Sequence, residues 1–449
     1  MKTQDLTTGS IALHVRNLAL PSSIGLFFQT MYNVVDSFYA GQVSTTGLAA
    51  LGISFPVYLL VLATSGGLSR GTSALLANAI GANQPNRQKK LVYQGLSLAL
   101  LVGVVMTFIG SWVAKPLFQI LGASGDYLQM ALQYMLPIFY GSIFFVTVNV
   151  CNGILVATGD SKTFGGLLIV GFFLNLVLDP WLMYGGFGVP AMGIAGIAWA
   201  TVIIQVFGCF WMLSVVVRRG LISFEKWDAF VPDMSIVKEI LIQAIPASFN
   251  IMSVALGYFA VTWLLNQFGE STVAAFGVTT RIEQIGLMPT FGLYAAIMAL
   301  VGQNNGARNF SRVQESMRVC NLIGGTLAVA TSILIVIFSR PLMRIFTSEP
   351  DVIDIGVHCL LIMMMIQWCY VLTSTHLAFL QAIKRPFYGF LESVLRKILL
   401  PLGLYAAFAS LDWGVDAVWY GIAGGNFLMT IVTIIFAQSV LRRITTKAT

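Results

Sequence analysis

Charge is the scarcest property of this 449-residue chain: only 10% of its residues are Asp, Glu, Lys or Arg, where a soluble globular protein carries about 25%. Together with 57% apolar residues and a mean hydropathy of +0.83, the shortage excludes an ordinary soluble domain and indicates a polytopic membrane protein. Cysteine is sparse as well. Cys151, Cys209, Cys320, Cys359 and Cys369 stand far apart, with no CxxC or other ligand-like spacing, so neither a disulfide framework nor a metal site is expected. There is no Gly-rich phosphate loop and no grouping of nucleophile, base and orienting residue, so nothing supports an enzyme and any energy source has to be an ion gradient. The start, MKTQDLTTGSIALHVRN, is polar and runs into the first apolar stretch without a cleavage pattern, so no leader is expected.

Gly, Pro, Asn and charged breaks divide the rest into twelve apolar spans, centred in 24–40, 48–78, 91–113, 128–150, 164–184 and 194–217, then 245–266, 273–303, 317–338, 353–380, 387–409 and 418–440. The loops on the side of both termini hold eighteen Lys and Arg, including Lys2, Lys226 and Lys447, whereas the opposite loops hold Lys115, Arg340 and Arg344. That bias predicts an inner-membrane protein with both termini cytoplasmic, and it means the net charge of +7 is not a nucleic-acid signature. Arg70, Arg281, Arg396 and Lys397 remain within spans or at their ends.

A shift of 225 residues places Pro21 on Pro246, Gly52 on Gly277, Gly67 on Gly292, Gly81-Ala82 on Gly306-Ala307, Arg87 on Arg312 and Pro116-Leu117 on Pro341-Leu342. Six spans is an even number, so the two halves enter the membrane in the same sense, related by a pseudo-twofold along its normal. The expected fold is therefore an all-α polytopic membrane protein, with twelve transmembrane helices in two six-helix lobes around a central cleft. Residues 1–217 form the first lobe, 218–240 a cytoplasmic linker and 241–449 the second lobe.

Within the first span Gln29, Tyr32, Asn33 and Asp36 fall at i, i+3, i+4 and i+7, one polar stripe ending in a carboxylate. An acid inside a membrane helix costs roughly 2.5–3.5 kcal/mol on insertion scales and usually faces a cavity or the bundle interior. A structural acid hydrogen-bonded within the bundle is the alternative. Span five offers Asn175 and Asp179 at i, i+4, followed by Pro180, which either frees backbone carbonyls for an ion or simply ends the helix near the interface. Asn149 with Asn152 and Thr201 with Gln205 are polar pairs on spans four and six that serve as cavity lining or as helix–helix glue. Asp36 has no counterpart in the second lobe, because the shift puts it on Val261. Two close membrane carboxylates cannot easily both be ionised and titrate as a pair, which suits loading and release of a proton, and sodium would also suit them. Glu392 and Arg396 (i, i+4) can pair, His376 reads as a packing residue, and Glu283 is a candidate contributor to cargo binding from the second lobe.

Several segments resemble the multidrug and toxic compound extrusion (MATE) transporters: TMYNVVDSFYAGQVSTTGLAALGISFP in the first two spans, its copy VAAFGVTTRIEQI, the GQNNGARN loop and the VATGDSK turn. Acids on spans one and five with an Asn one turn before the second are similar to the DinF-like branch, and the acids of the other branch, on spans seven and ten, are missing. The resemblance implies a secondary antiporter that needs no cofactor. It would export cationic or lipophilic drugs in exchange for protons or sodium ions. One chain already contains both lobes, so a monomer is expected to suffice. Asp36, Asn175 and Asp179 would form the cation site, with Gln29, Tyr32, Asn149, Asn152 and Thr201 lining the cavity beside it. The alternative is a flippase for lipid-linked oligosaccharides, for which several cationic cavity residues would be expected. A major-facilitator transporter is disfavoured because the loop after span two reads GANQPNRQKK, and a channel or scaffold leaves the acids and the duplication unexplained.

Overall fold

A computed structural model describes residues 4–223, 227–409, 411 and 413–446; Lys2, Lys226 and Lys447 lie outside the described residues. The first lobe comprises α1 (Ile11–Val43), α2 (Thr45–Gly81), α3 (Pro85–Ile120), α4 (Gly125–Tyr140), α5 (Ser142–Ala157), α6 (Lys162–Tyr184) and α7 (Ile194–Arg218). The second comprises α8 (Met234–Leu265), α9 (Glu270–Gly306), α10 (Phe310–Ile337), α11 (Ser339–Phe346), α12 (Pro350–Met365), α13 (Gln367–Ala382), α14 (Phe387–Val394), α15 (Leu400–Ala409) and α16 (Asp416–Thr446). Nine of these helices are long and apolar enough to cross a bilayer. The pairs α4–α5 and α12–α13 supply one bent crossing each, and α14, a π-helical turn at Leu395–Leu399 and α15 complete the twelve.

The bends have different origins. Span four turns by 53° at the Gly141–Ser142 pair, four residues after Pro137; Gly/Ser pairs are a recurrent site of helix kinks. Span ten turns by 46° at Ile366, with neither Pro nor Gly in its MMMIQWC stretch. At that level the fully buried Gln367 side chain accepts from Ser332 Oγ (3.0 Å) and donates to Thr331 Oγ1 (3.4 Å), tying the bend to α10. Pro21 and Pro180 break nothing: α1 begins ten residues before Pro21, and α6 continues past Pro180 to Gly185, a positive-φ residue that stops it. The outer face carries large apolar side chains such as Phe108, Trp112 and Ile333, as lipid contact requires.

The two lobes meet through reciprocal contacts. A Cβ built on Gly67 of α2 would lie 2.7 Å from Ala244 O and 2.0 Å from Ser248 Oγ on α8; one on Gly292 of α9 would lie 2.3 Å from Ala19 O and 2.2 Å from Ser23 Oγ on α1. Every residue of the first contact is carried onto the second by the 225 shift, the signature of a twofold-like interface. At the end of the bundle nearest the chain termini the same relation recurs. A Cβ on Gly81 would fall 1.7 Å from Gln303 O, and one on Gly306 would fall 2.1 Å from Asn78 O. Only glycine allows backbones that close.

Amides seal this terminal-side seam. Asn305 Nδ2 donates to Asn78 Oδ1 (2.6 Å) and Asn78 Nδ2 to Ala382 O (2.7 Å). Leu6 N–H donates to Gln303 Oε1 (3.0 Å), whose Nε2 donates to Ala157 O (2.8 Å), while Arg312 donates to the carbonyls of Thr8 and Gly9 (both 3.1 Å). The segment before α1 is thus strapped across the ends of α5 and α9. The connection between lobes lies along α3, where Gln94 donates to Ala229 O (3.1 Å) and Val231 O (2.7 Å) and accepts from Asp233 N–H (3.0 Å).

Candidate cation site and cargo cavity

Helices α1 and α6, the first and fifth crossings, run in the same direction. They close together at a glycine pair: a Cβ on Gly25 would lie 2.7 Å from Gly165 Cα, and one on Gly165 would lie 2.5 Å from Pro21 O. About ten residues further along each helix, roughly 15 Å of rise, that close approach brings Asp36 opposite Asn175. Asn175 Nδ2 donates to Asp36 Oδ1 at 3.0 Å and to Asp179 Oδ1 at 2.8 Å, so one amide bridges carboxyls from two helices. Asp36 is 4% exposed, and Asn175 and Asp179 are fully buried. The two carboxyls adjoin each other, and among the described residues no basic side chain acts on either.

Two oxygens complete the picture. Asn175 Oδ1 and Asp179 Oδ2, one turn apart on α6, are buried with no hydrogen-bond partner among the described residues. A buried acceptor without a donor is costly, and two adjoining carboxylates without a counter-charge are more so. A proton on one carboxyl lets it donate to the other. A hard cation would be met by the carboxylate oxygens and Asn175 Oδ1, an all-oxygen set of the right chemistry. Pro180 adds to it by leaving the Leu176 carbonyl without its usual helical donor.

Beside this cluster, between the lobes, lies a cavity of about 340 Å³. Gln29, Tyr32, Asn149, Asn152 and Thr201 stand on its wall, and α9 closes the far side with Phe291, Tyr294 and Met298. Tyr32 sits one turn before Asp36, close enough to feel its charge. Asp36, Asn175 and Asp179 themselves are not on the wall. The charge that is there is Arg70, whose guanidinium lies 4.4 Å from the centre of the Tyr294 ring. In the sequence Arg70 stands among the span residues without an assigned role, and its one signal is a cation inside an apolar helix, in the stretch GGLSRGTS.

Glu283 is elsewhere. It is buried in the second lobe near Tyr258, Tyr370 and Arg396, not on the cavity wall. That face of α9 turns into its own lobe, away from the cleft. There Arg396 pairs with the fully buried Glu392 one turn earlier and donates to Asn426 Oδ1 (2.9 Å). Arg396→Met leaves the buried Glu392 without its ion-pair partner, at a cost of roughly 3–5 kcal/mol. The expected result is a marked fall in the thermal midpoint of the purified protein, largely restored in Glu392→Gln/Arg396→Met. A lone Arg396→Met as stable as the parent would contradict it. His376 bonds the Leu372 carbonyl of its own helix through Nδ1 (2.7 Å), a packing arrangement.

Comparison with known proteins places these features in a family. The MatE family model matches twice, over residues 21–181 and 246–400, so its two copies begin 225 residues apart. The probable multidrug resistance protein YoeA of Bacillus subtilis (strain 168) is 29% identical over 82% of this chain and 80% of its own length. A protein of Shewanella oneidensis (strain MR-1) named FAD transporter is 25% identical over 97% and 96%. The solved outward-facing structure of a multidrug resistance MATE family transporter of the MOP superfamily superposes with a TM-score of 0.92 at 26% identity, covering 99% of this chain and all of the other. The family consists of transporters, not enzymes. With most of the chain matched in two copies, the protein belongs to the MatE family of multi-span membrane transporters.

Proposed function

We propose that this chain is an ion-driven exporter. It carries lipophilic organic compounds outward in exchange for protons or sodium ions bound at Asp36, Asn175 and Asp179. The observation that carries the reading is the Asn175 amide joining two buried carboxyls beside a cavity open to drug-sized molecules. The names of multidrug relatives support it. A flippase for lipid-linked oligosaccharides is not favoured: about 340 Å³ lies at the lower end of small-molecule sites, typically ~300–1,000 Å³. The expectation of a cationic cargo loses its ground, since the acids stand behind Tyr32 and the wall carries Arg70 instead. The proposal places both termini in the cytoplasm of a plasma-membrane protein. It divides the chain at 1–217, 218–240 and 241–449, and takes one chain as the working unit.

The test is cargo-driven ion movement in proteoliposomes, with internal pH followed after adding an organic dye, with and without sodium. A pH change independent of sodium identifies the proton as the coupling ion, and a response that requires sodium identifies sodium. Cargo accumulation indifferent to both gradients would overturn exchange.

A further inference from the structure

We infer that the cargo cavity is built to receive a planar aromatic molecule bearing a carboxylate or phosphate, and that Arg70 is the residue that takes the anionic group. This rests on the exporter reading above and names the cargo class of that same cavity.

A cation inside a membrane span is expensive and as a rule is paired or faces a functional cavity. Arg70 is partly buried on the cavity wall. Among the described residues it makes no ion pair and no hydrogen bond. Its one partner is the Tyr294 ring, 4.4 Å from the guanidinium carbon. Stacking occupies a face of the guanidinium and leaves the N–H donors along its edge free. That fork matches the two oxygens of a carboxylate or phosphate.

The wall offers Arg70 no counter-charge. Lys397 of the second lobe feels Arg396 and Glu392 more strongly than it feels Arg70. Its Nζ donates only to neutral acceptors, Asn250 O (3.0 Å) and Ser253 Oγ (3.2 Å). The charge of Arg396 is met by Glu392. The cavity wall contains no carboxylate, and Asp36 and Asp179 are engaged with Asn175 and with each other. At the edge of Arg70 a cationic cargo would meet like charge, and an anionic one would be attracted. The remaining wall supplies flat apolar faces at Phe145, Phe164 and Phe291, which suit an aromatic ring system.

The experiment compares flavin mononucleotide with riboflavin, which share one fluorescent three-ring system and differ by a phosphate. Binding of each to the purified protein in nanodiscs is read by fluorescence anisotropy, and gradient-driven uptake of each, and of ethidium, is read in proteoliposomes. Flavin mononucleotide is expected to bind at least about tenfold more tightly than riboflavin, the scale of a charge-assisted bidentate contact. Arg70→Gln is expected to erase that difference, and Arg70→Lys, which keeps the charge but not the fork, to retain part of it. Equal binding of the two flavins by the parent protein overturns the inference without any variant, as does a preference that survives Arg70→Gln. A phosphate preference carried by Arg70 in a protein that moves none of the three compounds under a gradient would leave this inference standing and overturn the exporter reading. Ethidium transport without a phosphate preference would do the reverse.

Discussion

Asp36→Asn is expected to reduce ion-coupled export by roughly 100-fold, near the upper end of typical coupling between two ligands, while cargo binding stays within about twofold of the parent. The substitution keeps the shape of the side chain and its ability to bond Asn175 and Asp179, so the α1–α6 contact set by Gly25 and Gly165 persists. What it removes is one of two adjoining carboxyls. The parent site, buried and without a basic neighbour, changes its charge whenever a proton or cation enters. With a single acid left, the site can no longer pass between a doubly charged state and a shared-proton state. Binding on the wall survives because Asp36 is not part of it. The measurement is initial export under an imposed gradient, set against cargo binding to the same preparation. Full coupled export by Asp36→Asn would reduce the acid pair to a structural hydrogen-bond cluster; loss of binding together with export would mean that the cavity depends on the cluster for its shape.

The acids were readable in the sequence because their cost is local. A carboxylate in an apolar helix needs a reason wherever that helix packs, and the i, i+4 spacing of Asn175 and Asp179 already put both on one face of α6. The duplication was readable for a similar reason: a constant offset survives divergence at glycines that close contacts require, such as Gly67 and Gly292. Arg70 and Glu283 were not readable. Whether a charge within a span meets the cleft or its own lobe depends on the rotation of α2 and α9 about their axes, which two lobes packed together decide. The bend of span four had a signal in the Gly141–Ser142 pair, whereas the bend of span ten depends on Gln367 meeting α10, a tertiary contact with no mark in the local sequence.

Gly81→Ala and Gly306→Ala are expected to open the terminal-side seam. Each added Cβ would meet backbone, Gln303 O at 1.7 Å and Asn78 O at 2.1 Å, and backbone cannot rotate aside as a side chain can. The helices α2 and α9 must separate by more than an ångström, which also strains the bonds from Asn305 to Asn78 and from Leu6 to Gln303. Overpacking of this kind costs about 1–3 kcal/mol and falls on the closed arrangement, so the open one gains roughly 5- to 150-fold in population. A cysteine placed at Ser22 on the cavity wall reports the change through its reaction with a membrane-impermeant maleimide added on the terminal side. The five native cysteines are free and buried, which keeps the background low. Gly325→Ala, where an added Cβ meets nothing within 4 Å, serves as the control and should label like the parent. Faster labelling in Gly81→Ala and Gly306→Ala alike would identify the seam as the gate on this side and show that its two halves act as equivalents. Labelling at the parent rate in both would place the closure elsewhere. A response in only one would mean that the strap over Gln303, which Asn78 lacks, makes the gate asymmetric despite the repeat.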